Sequence, residues 1–275
     1  MNHEIECIAA GLEFPEGPCF DAAGRCHLVE CRNGWITRVA PGGEVDRVVN
    51  TGGTPNGLVF DNAGAMWIAE AGLGKLMKYD GAELTEVAGE WEGAPLQRPN
   101  DLVFHPSGAI YMTGPGGSNA DTPVGVVYRI EQDGAIEVVA GGMCFPNGLA
   151  LSADASLLYL AETSAHRVLV FEVRDDGSLS QPEDFAPMPG GAGGDGMCLD
   201  VEGNIYVAHF GVGEIPVFSP EGELLEKLPA GGMKPTNVAF GGDAMHELWV
   251  TEVETSAVYR LLPGVAGLKP FNNPR

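Results

Sequence analysis

The sequence predicts an all-β fold, a six-bladed β-propeller with four antiparallel strands per blade, and three observations carry that prediction. A short phrase recurs six times along the 275 residues, centred on Pro15, Pro55, Pro99, Pro146, Gly194 and Pro235, at spacings of 40, 44, 47, 48 and 41 residues. Periods of roughly 40–50 residues built from short strands are the signature of propeller blades. Between recurrences, short apolar runs alternate with Gly- and Asn-rich turns. Finally, the sixth repeat lacks a fourth run, and an unclaimed run precedes the first.

The first repeat shows the grammar. Strands are expected at 17–20, 25–30, 35–40 and 44–49, with Asn33-Gly34 and Gly42-Gly43 among the turns. These dipeptides reach the positive φ that tight hairpins demand. The second repeat follows with 57–60, 65–69, 75–79 and 83–87. The third carries an insert at 114–123, longer than a hairpin needs, and such loops are often functional. The fourth is expected to run to about Leu179 and to end in a Pro/Gly-rich segment, 182–194. The fifth supplies 196–199, 204–209, 214–218 and 223–228. The sixth supplies only 237–240, 247–251 and 257–262, so the strand at 4–9 is expected to complete it and close the ring. Closure removes an exposed sheet edge and makes one domain of residues 1–275.

Composition narrows the functional classes. The net charge of −23 and a pI near 4.4 repel phosphate backbones and argue against a nucleic-acid partner. No apolar run approaches the ~18 residues of a membrane span, and the N-terminal residues lack the pattern of a secretory signal. Six cysteines without a CxxC pair read as free thiols, and with them goes a cytoplasmic address. Cys19 and Cys198 share a repeat position with Val59, Val103, Ala150 and Ala239, which reads as small core residues.

In a propeller the first strand of each blade lines the central channel, so residues that open those strands converge at one mouth. Here they are Glu16, Asn56, Asn100, Asn147, Asp195 and Thr236, each with a side-chain oxygen. An Asn in Pro-Asn-Gly can serve the turn alone. Glu16 and Asp195 break that pattern, and the turn needs neither. Two carboxylates forced together repel unless one takes a proton or a cation lies between them. Carboxylate and amide oxygens form a shell suited to Ca²⁺, Mg²⁺ or Mn²⁺. Glu70, Glu162 and His209, at the ends of second strands, are further rim candidates. No Gly-x-Ser-x-Gly is present, and Ser107, Ser152, Ser219, His105 and His166 fall in turns or loops, which gives a Ser-His-Asp triad little support.

Across roughly residues 5–262 the chain resembles the gluconolactonase, regucalcin (senescence marker protein) and luciferin-regenerating-enzyme family of six-bladed propellers. The resemblance rests on Phe14-Pro15-Glu16-Gly17-Pro18, Arg98-Pro99-Asn100-Asp101, Phe145-Pro146-Asn147-Gly148, Gly194-Asp195-Gly196-Met197 and Thr236-Asn237-Val238-Ala239-Phe240. It implies one catalytic divalent cation held by Glu16, Asn147 and Asp195, with Asn100 supporting the shell. Arg98, Asn100 and Asp101 are implied as substrate contacts. Ca²⁺ leads the candidates, with Zn²⁺, Mn²⁺, Mg²⁺ and Fe²⁺ as alternatives. The third blade departs from the sugar lactonases: Met112-Thr113-Gly114-Pro115-Gly116-Gly117 offers no match for their polar contacts there.

The expected activity is metal-dependent hydrolysis of a sugar or small aliphatic lactone, with Asp195 as ligand and general base. A phosphotriester or other ester hydrolase would use the same site. A non-catalytic calcium-binding or interaction propeller is the reading from another class. The expected partner is a small lactone or ester, and the chain is expected to be a monomer or a dimer.

Overall fold

The computed structural model describes residues 4–271. Six four-stranded antiparallel sheets form in chain order, as the repeats predict. They lie in a ring as the blades of a six-bladed β-propeller. Blade 1 comprises Pro15–Phe20, Cys26–Glu30, Trp35–Val39 and Val45–Asn50. Burial falls from the channel outward. The second strand of blade 1 is buried at all five positions, whereas the first three positions of its fourth strand are exposed. That gradient explains the sequence pattern: strands sandwiched between neighbouring blades are apolar on both faces, and rim strands are not.

Blades are joined by a repeated aromatic contact. A ring on one blade's second strand meets, edge to face, the ring ending the next blade's first strand. Trp67 packs on Phe104 at 5.6 Å and Tyr206 on Phe240 at 5.1 Å. Trp249 of blade 6 meets Phe20 of blade 1 at 5.5 Å, so the same contact crosses the seam. Each such pair is worth about 0.5–1.5 kcal/mol beyond the area it buries.

The seam itself is the N-terminal strand. Ile5–Ala10 pairs antiparallel with Ala257–Leu261 in blade 6, with a bulge between Cys7 and Ala9. Arg260 ties it further, its guanidinium 2.7 Å from Glu6.

Two elements differ from the sequence expectation. Blade 4 does not end in coil: its fourth strand is Glu183–Pro187, inside the Pro/Gly-rich segment. The detour before it is a hairpin bridged by Val173 and Leu179. An edge strand tolerates Pro because one row of its N–H groups faces solvent. The chain also inserts a hairpin, Glu90–Trp91 with Ala94–Pro95, before blade 3.

After Leu261 the chain does not leave the fold. Leu268 N–H donates to Leu199 O, and Gly267 N–H to Met245 O, both at 2.8 Å. Residues 263–271 thus form a strap across the end of the channel. Gly267 is required there, since a Cβ would sit 2.1 Å from Phe240. All six cysteines are free, as the sequence suggested. Among the described residues no helix is long and apolar enough to cross a membrane.

Candidate functional site

The site is built by a distortion that repeats. In blades 1, 2, 4, 5 and 6 the register of the first strand shifts at its start, between Glu16 and Cys19, Pro55 and Gly57, Pro146 and Leu149, Gly194 and Met197, and Pro235 and Asn237. A bulge re-aims the side chains beside it. Glycine then lets neighbouring blades close in. A Cβ on Gly148 would lie 2.4 Å from Asp195 O, and one on Gly17 2.7 Å from Asn56 O.

Glu16, Asn100, Asn147 and Asp195 come from four different blades and are all buried. The Asn147 amide donates to Thr163 Oγ1 at 3.1 Å and also bonds to the Asp195 carboxylate. Thr163 in turn donates to Gly194 O at 2.6 Å, so one hydroxyl fixes both residues. Thr113 does similar work: its hydroxyl donates to Asn147 O at 2.8 Å and receives Asp101 N–H at 3.0 Å. Asn100 Oδ1 is buried with no hydrogen-bond partner.

The charges are in tension. Burial pushes Glu16 well above the usual carboxylate range, and the charges of Asp195 and Asp101 push it further. Burial raises Asp195 likewise, with Asp101 adding to it and the Asn147 amide and Gly196 N–H opposing. Asp101 is raised to about 6 by burial, against the Leu102 N–H and the Asn237 amide. Each carboxyl is thus held where its ionised form is penalised, and a cation would relieve all three.

Not every residue picked out by register belongs here. Thr236 is structural: its hydroxyl donates to Pro15 O at 2.8 Å and pairs with Thr251 at 2.9 Å. Its neighbour Asn237 is the blade 6 contribution, donating to Asp101 Oδ2 at 3.4 Å and bonding to Glu16. Asn56 is only half buried and its amide lies 4.0 Å from the Cys31 thiol. Asp101 lines the channel beside Asn237. Arg98 is exposed, and no ion pair holds it among the described residues.

Glu70 and Glu162 are not open rim groups. Each receives the N–H of a residue just before its blade's proline, Thr54 at 2.6 Å and Cys144 at 2.7 Å. Glu30 and Glu252 do the same for Glu13 and Lys234. These four carboxylates pin the incoming loops. His209 takes this place in blade 5, its Nε2 at 3.0 Å from Gly190 O. The 114–123 insert is anchored too: Ser118 donates to Pro115 O at 2.5 Å and accepts Phe145 N–H at 3.0 Å. Ser107 and His105 bond to each other at 2.9 Å in the turn after Phe104, at the other end of the channel.

Three residues immediately before the prolines are strained. Phe14, Arg98 and Phe145 adopt φ of 61°, 52° and 62°. Residues before proline otherwise favour extended backbone, and non-glycine residues at positive φ cost of order 1–3 kcal/mol each and gather at functional sites.

The donors present fit a hard divalent cation: two carboxylates and two amide oxygens, one of them unpartnered. Among the described residues no three His, Cys, Asp or Glu side chains are grouped so as to hold a metal alone. A cation at this mouth would therefore draw on Asn100 and Asn147 as well as Glu16 and Asp195.

Fold and site together define a six-bladed propeller with an acidic, oxygen-lined channel mouth. A profile of the family described as SMP-30/Gluconolactonase/LRE-like region matches residues 14–254, and the chain belongs to that family. Gluconolactonase of Zymomonas mobilis is 28% identical, over 88% of this chain and 77% of that one. Diisopropyl-fluorophosphatase of Loligo vulgaris is also 28% identical, over 92% of this chain and 90% of that one. Among solved structures, a gluconolactonase from Xanthomonas campestris superposes with a TM-score of 0.84 at 26% identity, covering 94% of this chain and 89% of that one.

Proposed function

We propose that this protein is a divalent-metal-dependent lactonase. What supports the reading is that buried Glu16 and Asp195 lie close enough for the Asp195 charge to raise Glu16, that the Asn147 amide bonds to Asp195, and that the buried Asn100 carbonyl oxygen is unpartnered. Relatives named as lactonases support the reaction class, among them pentonolactonase XacC of Haloferax volcanii. Glu16, Asn100, Asn147 and Asp195 would hold the cation. Bound there, it supplies Lewis-acid polarisation of the lactone carbonyl and a more acidic water.

The chain's own residues do the rest. Asp195 acts as the general base, accepting a proton from the attacking water as the new carbon–oxygen bond forms. The ring carbon–oxygen bond then breaks, and the proton passes from Asp195 to the departing ring oxygen, leaving a hydroxy acid. The Asn147 amide bonds to Asp195, and Thr163 holds that amide and the neighbouring Gly194 carbonyl. Arg98, exposed at the rim and without an ion pair among the described residues, orients the substrate oxygens through its planar donors.

A pH-stat screen tests this. Metal-stripped protein, refilled with Ca²⁺, Zn²⁺, Mn²⁺, Mg²⁺ or Fe²⁺ in turn, is offered gluconolactone, aliphatic lactones, an aryl ester and a fluorophosphate. Acid release from a lactone that metal restores is the expected result. Turnover of the fluorophosphate alone would replace lactonase with the activity named for the Loligo vulgaris relative. Metal binding without turnover of any substrate would favour a calcium-binding propeller.

A further inference from the structure

The channel continues beneath the mouth. A cavity of about 120 Å³ runs along it, lined by Cys19, Val59, Val103, Ala150, Cys198 and Ala239, one small side chain from each blade. The strap closes its far end with Leu268, Pro270 and Phe271. Among the described residues, charged or amide side chains occur only at the two ends of the lining: Asp101 and Asn237 below the mouth, and Lys269 on the strap.

We propose that this cavity is a second ligand site, for an unbranched aliphatic carboxylic acid of about six carbons with a hydroxyl at its far end. The proposal rests on the lactonase reading, because opening an unbranched aliphatic lactone releases an acid of that class. Three features select the ligand. First is size: apolar cavities of ~150 Å³ take up benzene, so this one suits a chain of about five or six carbons. Second is length. The strand Leu102–Phe104 separates Asp101 from the strap, and three residues rise about 10 Å, near the reach of an extended six-carbon hydroxy acid. Third is polarity. The walls offer aliphatic and sulfur surface, so the extra hydroxyls of a sugar acid would be buried without partners. A terminal hydroxyl meets Asp101 and Asn237 at one end. A carboxylate meets Lys269 at the other, where Lys269 is exposed and unpaired among the described residues.

Calorimetric titration with 6-hydroxyhexanoate tests the site, on the full chain with gluconate as the comparison ligand. Saturable one-to-one binding is expected for wild type and for Asp195→Asn, and none for gluconate. Lys269→Ala should weaken binding about three- to fivefold, as befits an exposed ion pair. Ala150→Phe should abolish it by filling the channel. Ala239→Leu is the milder filling variant should Ala150→Phe fail to fold, judged by circular dichroism. Absence of saturable binding to wild type at millimolar acid overturns the proposal. So does binding that survives both filling variants, or that disappears in Asp195→Asn, which would put the acid at the mouth. Lactone turnover is measured on the same wild-type sample. Turnover without channel binding sinks this proposal alone, and channel binding without turnover keeps the site but sinks the lactone origin of its ligand.

Discussion

Glu16, Asp101 and Asp195 are raised above their ordinary range by burial, and neighbouring carboxylates add to it at Glu16 and Asp195. A carboxyl whose pKa is higher folded than unfolded binds more protons folded. Its contribution to stability is therefore greatest at low pH and declines as pH rises from the ordinary value through the raised one. Without metal, the melting temperature should fall between about pH 4 and somewhat above the Asp101 value of about 6. Calcium should flatten that slope. A slope of opposite sign in a pH series of thermal melts would show that the three groups do not bind their protons more tightly in the folded protein. Asp195→Asn should reduce lactone turnover by about 10²–10⁴-fold, the span of a lost general base. It should also raise metal-free stability at neutral pH by removing one repelling charge, which a melt without metal would detect.

Arg98 offers a second test at this scale. It is exposed, and its φ of 52° precedes a proline. Arg98→Gly should therefore gain about 1 kcal/mol by relieving the left-handed strain while raising KM for lactones. Denaturant melts and initial rates read the two effects separately. Glu16 and Asp195 were legible in the sequence because they break a run of asparagines. Asn237 is legible by the same logic. One residue further on, the blades read Gly17, Gly57, Asp101, Gly148, Gly196 and Asn237, and only Asp101 and Asn237 depart from glycine. The proline register pointed to Thr236, and the bulge between Pro235 and Asn237 shifted the site by one residue. Bulges of this kind are set by tertiary packing and leave no local spacing to read.

Among the elements, a residue that recurs with the blade proves structural. Glu30, Glu70, Glu162 and Glu252 each end a second strand and each clamp a loop N–H. Glu70 and Glu162 looked like rim candidates only when taken singly. Glu162 also carries Arg167, whose Nε lies 2.7 Å from its Oε2. Glu162→Ala should cost about 1–3 kcal/mol, as for leaving the Cys144 N–H without its acceptor, with metal affinity changed far less. Equilibrium unfolding beside a calcium titration distinguishes the two. The glycines of the first strands carry a sharper constraint. A Cβ on Gly196 would lie 2.0 Å from Asn237 Cγ, so Gly196→Ala should cost about 1–3 kcal/mol and impair catalysis too. The six small positions, Cys19 and Cys198 included, have the sequence pattern of core residues, but they face the channel cavity. Periodicity says that a position is apolar and leaves open whether its neighbour is a packed side chain or a void. The fourth strand of blade 4 escaped because its Pro-rich sequence resembles a linker, and partners on one side only were enough to order it.

For the whole molecule the repeat period predicted the architecture, because six near-equal units leave few ways to bury their faces. The missing sixth-blade strand and the spare N-terminal one predicted the closure, found as Ile5–Ala10 against Ala257–Leu261. Removing residues 1–10 should expose the edge of Ala257–Leu261 and promote aggregation, which light scattering during a melt would reveal. The C-terminal strap had no such counterpart in the repeat, and nothing in its Pro/Gly composition foretold its course beneath the channel.

The seam has one more consequence. Blade 6 is knitted from both ends of the chain, and Trp249 meets Phe20 across it as Trp67 meets Phe104 elsewhere. A ring of this kind has no privileged beginning. The N-terminal strand starts opposite Leu261, on the face where the strap runs, so a flexible linker along that face can join Phe271 to Glu4. New ends can then be opened in the exposed turn at Gly81, on the rim of blade 2. Such a circular permutant should fold to the same ring and keep its mouth intact, since each residue there answers to its place on the circle and not to its order along the chain.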